Sequence, residues 1–135
     1  MSAITRILAA YGATLVVLLA LDLIWLRFAG DMFFRPNVGS VLTDKPNIAA
    51  AALFYLFFSG GLIFFAVMPA AKNDSAATAL LHGALLGFLA YMTFDLTSLA
   101  ILKGWSVKVS LIDISWGTFV SGVAAGAGFY AFGKF

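Results

Sequence analysis

No cysteine occurs among the 135 residues, so the chain can form no disulfide and offers no thiolate as nucleophile or metal ligand. The redox compartment is left open by the same absence. Histidine is almost as scarce: the single His82 excludes the His-rich di-iron sites of membrane desaturases and bis-His haem within one protomer. It also lies thirteen residues before Asp95, roughly 20 Å along a helix, too far to share a metal with it. No metal and no cofactor is therefore expected. Charge is sparse as well, at 10% of residues, and the eight Lys and Arg are scattered with no basic run that could track a phosphate backbone. Nucleic acid is not an expected partner, despite an isoelectric point near 9.1.

What the chain has instead is apolar length. Hydrophobic residues make up 63% and the mean hydropathy is +1.04, well beyond a soluble domain. This is an integral membrane protein with room for one domain, residues 1–135, most of which four spans would consume at ~20 residues each. Nothing remains for a soluble catalytic domain. The first apolar run is too long for a signal-peptide h-region, and Ala29-Gly30-Asp31 is no A-x-A cleavage site, so it reads as a retained span.

The predicted class is all-α: four transmembrane helices, about 6–28, 47–68, 77–102 and 107–132, in a compact bundle. Trp25 and Arg27 close the first as interfacial anchors. The connection from Ala29 to Pro46 has apolar residues at spacings that allow a short interfacial helix, and equally reads as a partly ordered loop. Pro46 opens the second helix and Pro69 is expected to close it. Two ladders of small residues, one through Gly83 and Gly87 and the other through Gly117, Ser121 and Ala125, suit close packing of helices three and four. Four crossings put both termini on one side. Five Lys and Arg flank loops one and three against three at the other face, which favours cytoplasmic loops and external termini.

Three carboxylates interrupt the apolar sequence. Asp22 is six residues before Phe28, Asp95 seven before Leu102 and Asp113 six after Val107, which places all three roughly 9–11 Å below one membrane face. An ionisable side chain inside a span costs at least a few kcal/mol, about 2.5 or more, unless it faces protein, water or a partner. Tyr91, Thr97, Ser98, Trp116 and Arg27 lie at similar depth and complete a candidate polar pocket, with Asp95 most central. Two readings follow: hydrogen-bonded glue between helices, or a small site open to one leaflet. The other tyrosines, Tyr55 among them, read as core or interface aromatics.

Leu21–Leu26 (LDLIWL), Ala51–Ala70, Tyr91–Trp105 (YMTFDLTSLAILKGW) and Leu111–Thr118 (LIDISWGT) together resemble an uncharacterised family of small bacterial four-helix integral membrane proteins, a domain of unknown function. The pattern is D-L-T-[NS]-L-A, then K-G-W, then D-x-x-W-G, and it spans nearly the whole chain. This chain has Ser98 where the family typically has Asn, a hydroxyl in place of an amide. The resemblance implies four helices, a multi-pass protein of the cell inner membrane, and importance for Asp22, Asp95 and Asp113. It implies no reaction.

Three functions remain in view. The leading one is an accessory or binding protein whose polar intramembrane pocket takes an amphiphile, a lipid head group or a partner helix. The second is a small proton-coupled carrier acting as an oligomer, since four helices are few for alternating access. The third is a membrane-embedded lipid-modifying enzyme using Asp95 or Asp113 as general base. No nucleophile–base pair is visible, so enzyme status stays open.

Overall fold

Each of the four long helices starts where a short polar side chain can cap it. In the computed structural model, which describes residues 2–135, the side chains of Ser2, Asn47, Ser75 and Ser106 accept the backbone N–H three residues on, at 3.0–3.2 Å. The elements that follow are α1 (Ala3–Ala29), α2 (Arg35–Val38), α3 (Ile48–Leu62), α4 (Met68–Asn73), α5 (Ala76–Ile101) and α6 (Val107–Lys134). No strand occurs among the described residues. By length and composition four stretches can cross a membrane: Ala3–Val41, Ile48–Asn73, Ala76–Ile101 and Val107–Lys134.

Two of these stretches run straight through a proline. Pro69 was expected to close the second span, yet the helix continues to Asn73, and Pro36 is likewise inside the helical run that extends α1. In both places a π turn, Gly30–Phe34 or Ile63–Val67, ends two residues before the proline. The residue preceding each proline bonds five residues back, Arg35 to the Gly30 carbonyl and Met68 to that of Ile63. The wider turn leaves a place for a residue that has no N–H. The carbonyl four residues before Pro69, that of Phe65, accepts instead from His82 Nδ1 at 3.2 Å. Loop one does hold a short helix, α2, but it is no separate element, because it follows α1 through the π turn without a break.

The last connection is shorter. Leu102 is extended and Gly104 takes φ +80°, a left-handed conformation that glycine adopts without strain, so the chain reverses between α5 and α6 in a few residues.

α6 is the central helix. Half of its apolar window is buried, against 17–22% for the other three spans, and its largest interfaces are with α5 and then α1. Small residues make the α5–α6 contact possible: a Cβ added at Gly83 would lie 2.6 Å from the Ala125 Cβ and 2.8 Å from the Ser121 carbonyl oxygen. One at Gly87 would collide with the Gly117 carbonyl and the Ser121 side chain. The remaining core joins Ala10 and Leu18 of α1, Leu62, Ile63, Ala66 and Val67 of the second span, and Val120, Ala124 and Ala125 of α6. Large apolar side chains such as Phe57, Leu81, Phe94 and Phe119 point outward, as a protein solvated by lipid requires.

Candidate functional site

The three aspartates come from three helices and meet. Asp22 is on α1, Asp95 on α5 and Asp113 on α6, and all three are buried. Asp95 and Asp113 face one another across the α5–α6 interface, and Asp22 is within electrostatic range of Asp113. Tyr91, one turn before Asp95, lies within range of all three carboxyls and of Tyr55. Its ring occupies the space left by Gly117, where any Cβ would overlap it, and meets Phe54 and Phe58 edge-on at 6.5 Å.

The three carboxyls have unequal surroundings. Asp22 is satisfied: Tyr55 donates its hydroxyl to Oδ2 and Trp116 donates its indole N–H to Oδ1 at 2.9 Å. Asp95 is 0% exposed, and neither of its oxygens has a hydrogen-bond partner. The polar group opposite it is another carboxyl, Asp113, close enough for the two to hydrogen-bond when one of them holds a proton. No Lys or Arg comes within 4.0 Å of any of the three, and the one ion pair among the described residues, Arg35 to Asp31, is exposed at the rim. The three do not form a metal-holding group. Buried acceptors that face each other with no donor between them call for a proton or a cationic group.

Of the other residues expected here, Ser98 is buried on the Asp95 side of α5 and Trp116 reaches Asp22. Arg27 and Thr97 do not join them. Both are exposed, and the Thr97 hydroxyl is spent on the Thr93 carbonyl of its own helix. Depth along a helix does not give direction around it: at about 100° per residue, Arg27 lies about 140° round α1 from Asp22, and Thr97 about 160° round α5 from Asp95. Thr93 and Ser115 also bond backward to their own helix, to Leu89 and Leu111. Tyr55, read as a core aromatic, is the residue the sequence reading missed. Its place on the Asn47, Ala51, Tyr55, Ser59 stripe of small and polar residues was the available signal.

Beside the cluster, the Trp25 and Trp116 rings stack at 4.6 Å and 5°. They line an outward-facing groove of about 460 Å³ with Leu111, Ile112, Ser115 and Phe119. Trp116 thus stands between that apolar groove and Asp22.

Fold and site together define a multi-pass, four-helix membrane protein with a closed carboxylate cluster inside the bundle. The chain belongs to the family described as "Predicted membrane protein (DUF2177)", whose pattern matches residues 7–130, a range that includes every residue of the cluster. No curated protein and no solved structure matches it.

Proposed function

We propose that this chain is a binding protein of the bacterial inner membrane that receives the positively charged head group of an amphiphile at Asp95 and Asp113. One observation carries the reading: Asp95 is wholly buried, unpartnered and opposed by a second carboxyl, with no cation of the protein within ion-pair distance. A cationic head group would supply both the missing donors and the missing charge. The apolar groove at Trp25 and Trp116 suits the chain of such a ligand, and a rotation of Trp116 would join groove to cluster. Asp22, held by Tyr55 and Trp116, acts here as a fixed wall.

The test uses dodecylamine and the uncharged dodecanol as probes on the protein in nanodiscs. Dodecylamine raises the melting temperature of the wild type and leaves Asp95→Asn unchanged, while dodecanol moves neither. Equal shifts for wild type and Asp95→Asn would overturn the reading. A proton-coupled carrier is the second reading, favoured by the same unpartnered pair, because a proton is the smallest cation that could satisfy it. It predicts a pH-driven flux in proteoliposomes that Asp95→Asn abolishes.

A further inference from the structure

The face opposite the aspartates carries a second cavity, lined by two cations and one carboxylate. It measures about 420 Å³ and is framed by Arg6 from the first turn of α1, Lys134 from the last turn of α6, and Asp74 from the turn between α4 and α5. Each cation is seated on an aromatic ring: the Arg6 guanidinium carbon is 5.7 Å from the centre of Phe132, and Lys134 Nζ is 5.5 Å from that of Tyr130. Stacking uses the face of a guanidinium and leaves its N–H edge free to donate. Here that edge is idle. Arg6 Nε is shielded from water and meets no acceptor, and neither cation has a carboxylate within 4.0 Å, although Asp74 lines the same cavity.

From this juxtaposition we infer that Arg6 and Lys134 form a binding site for the phosphate of an anionic phospholipid at the face that holds the start of α1 and the end of α6. Two cationic donors that each lie over an aromatic ring and line one cavity, beside apolar rings that can border acyl chains, match a phosphodiester with its tails in the bilayer. A plain snorkelling role explains a cation at this height but not two that converge on one cavity with a buried donor unspent. Asp74, left-handed at φ 49° and unpaired, is the competing anion in the site. This inference is independent of the carboxylate cluster, which lies at the other end of the spans.

Native mass spectrometry of the full chain released from nanodiscs of phosphatidylglycerol and phosphatidylcholine reads the site directly. The wild type retains phosphatidylglycerol in preference to phosphatidylcholine, and inorganic phosphate does not displace it. Arg6→Gln and Lys134→Gln each lower that retention about ten-fold, the loss of one charge-assisted contact. Asp74→Asn, which removes the competing anion, raises it, and this gain decides the matter if either cation variant fails to fold. Retention by Arg6→Gln/Lys134→Gln equal to wild type, a fall with Asp74→Asn, or full displacement by inorganic phosphate would each overturn the inference.

Discussion

Asp22 and Asp95 are the same side chain at similar depth, and their neighbours make them different residues. Asp22 has a donor on each oxygen and Asp95 has none. Trp116→Phe should keep the ring beside Trp25 while leaving the buried Asp22 Oδ1 unpaired, which costs about 1–3 kcal/mol in chemical denaturation in detergent. Asp95→Asn turns an amide donor toward Asp113 whether or not the wild-type pair holds a proton, so its melting temperature should equal or exceed the wild type's. A larger loss for Asp95→Asn than for Trp116→Phe would contradict this assignment of roles. The positions of the carboxylates along their helices were legible in the sequence because helical rise is constant. Their unequal partners were not, because which tyrosine or tryptophan reaches which oxygen depends on how three helices are rotated against one another.

At the scale of the helix, proline was the misleading letter. In water-soluble chains it stops helices; here each internal proline follows a π turn, and the second span passes through Pro69 with His82 supplying the donor that the Phe65 carbonyl would otherwise lack. His82→Leu should therefore destabilise by about 1–3 kcal/mol. In Pro69→Ala, where the backbone regains its N–H, the same substitution should cost much less, a coupling that a double-mutant cycle in detergent measures. Additive losses would show that His82 acts elsewhere. The glycine ladders were readable from spacing alone, since only small residues let two backbones meet in lipid. Gly87→Ala forces a Cβ into the Gly117 carbonyl and Ser121 and should lower stability by about 1–3 kcal/mol. Gly60→Ala, with nothing within 4 Å, should be neutral or stabilise by up to about 1 kcal/mol. Similar melting of the two variants would place the α5–α6 contact elsewhere.

Across the whole molecule, the four spans separate two kinds of chemistry. The three buried carboxylates, of which Asp95 has no partner, lie toward the face of Trp25 and the α5–α6 turn, and Arg6 and Lys134, without an ion-pair partner, line the opposite rim. Even crossings put Ser2 and Lys134 on one side, and a chain without native cysteine makes this easy to check. Single cysteines at these two positions should react with a membrane-impermeant maleimide from the same side only, and labelling from opposite sides would refute the four-span topology. Function turns on whether the carboxylates at the other end take a positive charge. Equilibrium binding of dodecylamine to nanodisc-held wild type, Asp95→Asn and Asp113→Asn measures this most directly. The account predicts about ten-fold or greater weakening in both variants, as expected for loss of a charged hydrogen-bond acceptor, and binding of equal strength to all three would contradict it.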